Sequence, residues 1–159
     1  MSAQVSVGEI RGVLLPIHSG QLLLPNASVA EVTGYQQPSP PGDDFPGWLL
    51  GGFPWRQQTV PLISFDHLIG AGEADAGLRA RVAICNTTSS GGTHPHFALL
   101  LRSIPRLVRI SEENVSALDD AEPGHAMVAQ RVRLNGEEAM IPDLDALEAA
   151  LQPYRIQGG

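Results

Sequence analysis

Short apolar runs separated by turn-forming residues open the chain and predict β structure. The runs at residues 11–17 and 21–24 are joined by a short glycine-containing link, which is typical of a β-hairpin. Within residues 25–35, the apolar Val29 and Val32 stand at positions i and i+3, which share one face of a helix. We therefore expect a hairpin followed by a short helical segment.

A proline-rich segment at residues 36–47 separates this region from a second hairpin. Proline has no backbone N–H to donate to a β-ladder, so the segment is predicted to be a loop. Strands are predicted at residues 48–53 and 59–65, and Arg56 lies at the tip of the turn between them. The pattern thus predicts a hairpin that presents a cation.

Apolar runs also mark strands in the second half of the chain. Residues 80–86 are interpreted as a strand, and residues 97–102 are apolar nearly throughout, as in a strand buried on both faces. Residues 106–110 are interpreted as the continuation of that strand beyond a break at Pro105. The polar residues 111–124 are expected to form a loop.

The end of the chain carries the clearest local signals. Strands predicted at residues 126–134 and 137–142 flank Asn135-Gly136, and Asn-Gly is the dipeptide most typical of a two-residue hairpin turn. Asp143 is then placed to cap a helix whose leucines lie on one face. Residues 143–152 are therefore predicted to form a closing helix.

The number of short strands predicts an all-β fold. Gly and Pro contribute 17 and 13 of the 159 residues, an excess that suits many strands and turns. The strands fall into two groups, at about residues 11–70 and 80–142. We expect two β-barrel subdomains within a single domain that spans residues 9–152.

Charge and composition narrow the function classes. The formal net charge is −7 and the basic residues, all arginine, do not cluster, so we expect no nucleic-acid partner and no direct membrane insertion. The single cysteine, Cys85, excludes an internal disulfide and fits a reducing compartment. No signal-peptide pattern and no apolar run near the ~20 residues of a membrane span is present. A cytoplasmic protein is expected.

One histidine pair could serve a metal ion. His94 and His96 flank a proline, which places both rings on the same side of an extended segment. A metal site needs at least one further ligand, and Asp66, His67 or Cys85 would have to supply it through the fold. Cys85 lies in an apolar strand, which favours a buried and inert thiol. We expect no metal and no cofactor.

Nucleophilic catalysis is weakly supported by the sequence. Ser64, Asp66 and His67 supply the residue types of a catalytic triad, but Ser64 lacks the glycines of a nucleophile elbow. Glycine-rich phosphate-binding loops are also missing. We therefore expect no catalytic residues and no enzyme activity.

Trp55 and Arg56 instead favour binding. Both residue types are enriched at the energetic centres of protein interfaces. The alternative is that Trp55 folds into the core and Arg56 is simply solvated. The sequence leaves both interpretations open.

The order and spacing of these motifs resemble the CheW-like adaptor family of bacterial chemosensory systems, over nearly the whole chain. The family's apolar-x-Glu-apolar element, Gly-led strand, hairpin arginine and Val-Pro strand have counterparts in the first half, and its long strand and closing hairpin with helix have counterparts in the second. These counterparts are Val29, Glu31, Val32, Gly51, Arg56 and Val60-Pro61, then residues 97–110 and 134–151.

The resemblance implies two SH3-like five-stranded β-barrels that share a core, with a short C-terminal helix. It implies a non-enzymatic scaffold that couples the cytoplasmic tip of a chemoreceptor to the regulatory domain of a CheA-type histidine kinase. Val29, Glu31, Gly51 and Arg56 would form the partner-binding surface. Gly51 would allow a partner to approach closely, and Arg56 could bind a carboxylate through two N–H groups.

Several positions depart from the family pattern. Pro54 and Trp55 replace the usual Asn and Leu, Gln57 replaces the Gly after the hairpin arginine, and Arg102 stands where Asp is usual. These departures indicate a divergent paralogue, similar to the ChpC type that serves chemosensory pathways controlling type IV pili and twitching motility. Two alternatives remain open: a small β-barrel that binds a ligand or peptide, and a metal-binding enzyme that uses the His and Cys residues above.

Overall fold

The chain folds mostly as β-strands in two sheets, as the sequence predicted. The computed structural model describes residues 10–72, 76–88, 94–118, 125–154 and 156. Its strands are β1 (Ile10–Ile17), β2 (Gly20–Pro25), β3 (Val29–Gly34), β4 (Leu49–Trp55), β5 (Gln58–Ile63), β6 (Arg81–Asn86), β7 (His96–Leu101), β8 (Arg106–Ile110), β9 (Val115–Ala117), β10 (Val128–Leu134) and β11 (Glu137–Pro142). Its α-helices are α1 (Phe65–Leu68) and α2 (Leu144–Leu151).

The strands divide between the sheets in an order that differs from the order along the chain. One sheet has the order β8-β1-β2-β11-β10-β9, and the other has the order β3-β6-β7-β5-β4; we call them the six-stranded and the five-stranded sheet. The expected subdomain bounds of 11–70 and 80–142 do not match these sheets. The N-terminal hairpin pairs with strands from the end of the chain, as in the parallel pairing of Leu22 with Met140.

A loop residue links the two edges of the five-stranded sheet. Ser39, in the predicted proline-rich loop that follows β3, pairs with Gly52 on β4, the opposite edge strand. The Ser39 N–H donates to the Gly52 carbonyl at 2.8 Å, and the Gly52 N–H donates back to the Ser39 carbonyl at 3.1 Å. The chain after one edge strand is thereby held against the other edge strand, and the sheet curls around its own cluster of side chains.

A shared core holds the two sheets together, as expected. It contains Leu15 and Leu22 from the six-stranded sheet, Leu99 from the five-stranded sheet, and Leu147 and Leu151 from α2. Burying one such leucine contributes about 1.5–3 kcal/mol. Each sheet also encloses a smaller cluster, one with Phe53, Trp55, Leu62 and Ile84, the other with Leu14, Leu23 and Val132.

The strong local signals were confirmed. The residues of the predicted Asn-Gly turn have positive φ angles, 50° at Asn135 and 84° at Gly136, as a two-residue hairpin turn requires. The side chain of Asp143 accepts a hydrogen bond from the Ala146 N–H at 3.0 Å and caps α2 as predicted. Both predicted N-terminal hairpins also form, as β1–β2 and β4–β5.

The prediction of a short helix across Val29 and Val32 was wrong. Only Asn26–Ser28 forms a 3₁₀-helical turn, and Val29–Gly34 is strand β3, paired antiparallel with β6. Val29 and Val32, at positions i and i+3, share a face of a helix but not of a regular strand. A β-bulge between Val29 and Glu31, which depends on the pairing with β6, breaks the strand alternation here.

Three further predictions about strands need correction. Residues 106–110 do not continue β7, because β8 pairs with β1 in the other sheet. Strand β9 lies inside the predicted loop 111–124, part of which falls outside the described residues. The strand predicted at 59–65 ends at Ile63, because Ser64 caps helix α1, which begins at Phe65.

Candidate functional site

The tip of the β4–β5 hairpin places two ordinary residues in a left-handed backbone conformation. Arg56 and Gln57 have φ angles of 48° and 63°. This turn suits the right-handed twist of the flanking strands, but it usually carries Asn-Gly, because a side chain in this region costs about 1–2 kcal/mol. The hairpin therefore holds Arg56 at a strained position at its tip.

Arg56 is exposed and lies over two neighbours. Its Nη2 donates to Glu31 Oε1 at 2.8 Å, and its guanidinium carbon lies 4.8 Å from the centre of the Trp55 ring. Its side chain is 66% exposed, and that of Glu31 is 36% exposed. We call this group the Glu31–Trp55–Arg56 cluster. It combines an ion pair with a cation–π contact at the surface.

Trp55 is the buried base of the cluster. It is 8% exposed and packs in the small core of the five-stranded sheet. Its indole N–H donates to the same Glu31 oxygen that accepts from Arg56, at 3.3 Å. Trp55 therefore lies in the core, and Arg56 stays exposed above it while paired with Glu31.

A β-bulge in β3 separates the roles of Val29 and Glu31. Val29 pairs with Cys85 and Glu31 pairs with Ile84, so Ala30 is an extra residue between the two pairs. Val29 consequently packs against the shared core together with Cys85. Glu31 instead reaches Trp55 and Arg56, and of these two predicted site residues it is the one at the hairpin surface.

The close approach predicted at Gly51 is made by the chain's own loop. Gly51 is buried and has a φ of 136°, a conformation that side chains rarely adopt. A Cβ at this position would overlap the carbonyl oxygen of Ser39. Because Gly51 has no side chain, the loop at Ser39 can pack directly against β4. The space beside Gly51 is therefore occupied by the chain itself.

Ser64, Asp66 and His67 have structural roles. Ser64 Oγ caps helix α1 by accepting from the His67 N–H at 3.2 Å. Asp66 is 3% exposed, and its carboxylate accepts from the backbone N–H groups of His18 at 3.1 Å and Ser19 at 2.7 Å. The side chains of Ser64 and Asp66 thus serve a helix cap and the β1–β2 turn, and His67 contributes its backbone N–H to the cap.

The His pair and Cys85 do not converge. His94 Nε2 lies 2.7 Å from the Tyr154 carbonyl oxygen, while the His96 ring packs against Trp55 with a centroid distance of 4.8 Å. Cys85 is buried as predicted, and burial raises the pKa of its thiol to about 12. Among the described residues, no group of three or more His, Cys, Asp or Glu side chains could hold a metal ion.

Comparison with known proteins now adds to this geometry. A sequence model of the family described as a CheW-like domain matches residues 11–151. The chain belongs to the CheW-like family. The fold is similar to the crystal structure of the scaffolding protein TtCheW from Thermoanaerobacter tengcongensis, with a TM-score of 0.70 and 15% sequence identity over 85% of this chain and 89% of that chain. No curated protein matches the sequence significantly.

Family membership establishes the coarse function. CheW-like proteins are non-enzymatic scaffolds of chemotaxis signalling that generally couple receptors to the kinase CheA. Within the part of the chain that the structure describes, no helix has the length and apolar character needed to cross a bilayer.

Sequence reasoning missed two features of the CheW-like hairpin surface. The bulge at Ala30 has no signature in the sequence, since it depends on the register with β6. The shared hydrogen-bond acceptor on Glu31 was also missed, although a Trp directly before the hairpin arginine was a visible signal for it.

Proposed function

We propose that this CheW-like chain couples the cytoplasmic tip of a chemoreceptor to the regulatory domain of a CheA-type histidine kinase. We further propose that it works in the cytoplasm as a divergent, ChpC-type paralogue, in a chemosensory pathway that controls type IV pili and twitching motility. The Glu31–Trp55–Arg56 cluster binds the kinase domain, Gly51 supports the hairpin that carries it, and Val29 anchors β3 in the shared core.

The observation that carries the proposal is the exposed, oriented guanidinium of Arg56. Only its Nη2 makes a hydrogen bond to another side chain of the described chain. The remaining N–H groups of the guanidinium can bind a carboxylate of a partner, and charge-assisted pairs of this kind are among the stronger polar contacts. Arginine and tryptophan are also residue types enriched at the energetic centres of interfaces.

The departures from the family pattern support a dedicated role. Arg102, where Asp is usual, donates from Nε to the Ile17 carbonyl at 3.2 Å, and its backbone N–H donates to the Pro16 carbonyl at 3.0 Å. It thereby fixes the crossing between the two sheets. Trp55 and Gln57 change the base and the turn of the hairpin, which is the surface through which we propose that the kinase is selected.

Calorimetry tests the kinase assignment. The purified protein is titrated with the regulatory domain of a CheA-type kinase from the same cell, in parallel with Arg56→Glu and with Arg79→Glu. Arg79 is an exposed arginine outside the cluster, so its replacement makes the same change in net charge. We expect Arg56→Glu to weaken binding at least about 30-fold, because truncating an interface-centre arginine costs ~2–4 kcal/mol. Arg79→Glu should bind like wild type.

Either of two results would contradict the assignment: equal affinity of the Arg56→Glu and wild-type proteins, or no saturable binding by the wild type. The pathway is tested separately in cells. Deleting the gene should abolish twitching on agar, and restoring the wild-type chain but not Arg56→Glu should rescue it. Normal twitching in the deletion strain would contradict the proposed role in a pathway that controls type IV pili.

A further inference from the structure

We propose that Trp55 is a positioning residue that holds Arg56 and Glu31 in a single arrangement for a carboxylate of the partner. This inference rests on the proposed function, because the partner is the kinase domain named above. It assigns a role to a residue at which this chain departs from the family pattern, where Trp replaces the usual Leu.

One oxygen atom joins the three side chains. Glu31 Oε1 accepts from Trp55 Nε1 at 3.3 Å and from Arg56 Nη2 at 2.8 Å. Glu31 cannot rotate away without losing both hydrogen bonds. Arg56 is also held from below, since its guanidinium carbon lies 4.8 Å from the Trp55 ring centre. The indole therefore restrains Arg56 in two ways, through the ring face and through Glu31.

The base of this arrangement is rigid because Trp55 is part of the core. It is 8% exposed, and on another side its ring meets His96 edge-on, at 4.8 Å and an angle of 63° between the planes. The imidazole Nδ1 of His96 is buried and makes no hydrogen bond to any described residue. His96 therefore contacts Trp55 through its ring. The indole cannot change its orientation without disrupting the packing of this core.

A restrained arginine binds with less loss of conformational freedom. Ordering a long side chain at an interface normally weakens binding by a factor of up to about ten. In this chain the contacts with Trp55 already restrict Arg56 when the protein folds, so less conformational freedom is lost on binding. A leucine at this position has neither a ring face for the guanidinium nor an N–H for Glu31, and Arg56 would then be mobile before binding.

The cluster selects a carboxylate. Glu31 neutralises one edge of the guanidinium and leaves the planar fork on its other edges for an anion of matching geometry. An Asp or Glu side chain of the partner satisfies this geometry. Because one edge of such a contact remains at the surface, added salt should weaken it.

Nuclear magnetic resonance of the free protein tests positioning without any partner. The order parameter of the Arg56 Nε–Hε bond is measured in wild type, Trp55→Phe and Trp55→Leu, with the exposed Arg79 as the internal reference. We expect a higher order parameter at Arg56 than at Arg79 in wild type, an intermediate value in Trp55→Phe, which keeps the ring face, and a value near that of Arg79 in Trp55→Leu. Equal values in all three proteins would overturn the proposal.

Calorimetry of the same variants tests the consequence. Trp55→Leu should raise the Kd for the kinase domain about tenfold and Trp55→Phe less, with thermal melts confirming that each variant is folded. Affinity should fall as salt rises. Unchanged affinity in both variants would overturn the positioning role in binding, and salt-independent affinity would overturn the carboxylate. If wild type does not bind the kinase domain at all, the proposed partner fails, while the resonance result still decides whether Trp55 positions Arg56.

Discussion

Replacing Gly51 by alanine tests whether this glycine serves the fold or a partner. The substitution adds one methyl group at a buried position whose φ is 136°. That methyl group would overlap the carbonyl oxygen of Ser39. The chain can accommodate it only by changing the backbone at Gly51 or by moving the loop that contains Ser39 away from β4.

The magnitude follows from the contacts that are lost. Moving the loop breaks the two hydrogen bonds between Ser39 and Gly52, which measure 2.8 and 3.1 Å and are worth about 1 kcal/mol each. Keeping a side chain in this region of backbone space costs about 1–3 kcal/mol. We expect Gly51→Ala to lower the free energy of unfolding by about 3–5 kcal/mol in total. At this chain length, that corresponds to a fall of roughly 10 °C in Tm.

The assay is urea and thermal unfolding followed by circular dichroism, with Gly34→Ala as the matched control. Gly34 lies at the end of β3, and a Cβ there would meet nothing within 4 Å. The control should be neutral or slightly stabilising, by up to about 1 kcal/mol. A Gly51→Ala protein as stable as wild type would refute the reasoning, and loss of kinase binding at full stability would return Gly51 to the contact surface.

Two further predictions concern buried groups in other parts of the fold. Burial raises the pKa of the Cys85 thiol from its ordinary value of 9.0 to about 12. The unfolded chain therefore releases this proton first as pH rises, so stability should fall between about pH 9 and 12 by up to about 1.4 kcal/mol per pH unit. The free energy of unfolding, measured with urea at several pH values, should show this slope in wild type and a smaller slope in Cys85→Ala. Identical slopes in the two proteins would contradict the prediction. Asp66→Ala removes the acceptor of the His18 and Ser19 N–H groups. It should lower the free energy of unfolding, measured with urea, by about 3 kcal/mol. Asp66→Asn, which keeps one acceptor oxygen, should lower the free energy of unfolding by less. Equal decreases in the two variants would argue against a stabilising role of these hydrogen bonds.

The elements that the sequence predicted well have their signals within a few residues. The Asn135-Gly136 turn and the Asp143 cap depend on local backbone geometry, which neighbouring residues decide. Strand β3 was missed because the i, i+3 spacing of Val29 and Val32 favours a helix, and the β-bulge that breaks the strand alternation depends on pairing with β6. Strand β8 was misplaced for a similar reason, since its partner β1 lies at the far end of the chain.

The hairpin that carries the candidate site was predicted from its local pattern, whereas the surroundings of the site were not. Arg56 was correctly placed at a hairpin tip, because the flanking strands are a local pattern. The neighbours of Gly51 and Val29 depend on a loop contact and on a bulge, which no short sequence window contains. Glu31 was selected through a family resemblance, and the structure adds the contacts that it makes.

The interleaved order of the two sheets also sets an order of events during synthesis. All strands of the five-stranded sheet lie between residues 29 and 101, so this unit can assemble while the rest of the chain is still being made. The β1–β2 hairpin is made before this unit, whereas its partners β8 and β11 are made after it. Strand β2 therefore lacks its partner β11 until residues 137–142 have been made, and apolar strands that await their partners make a nascent chain prone to aggregate.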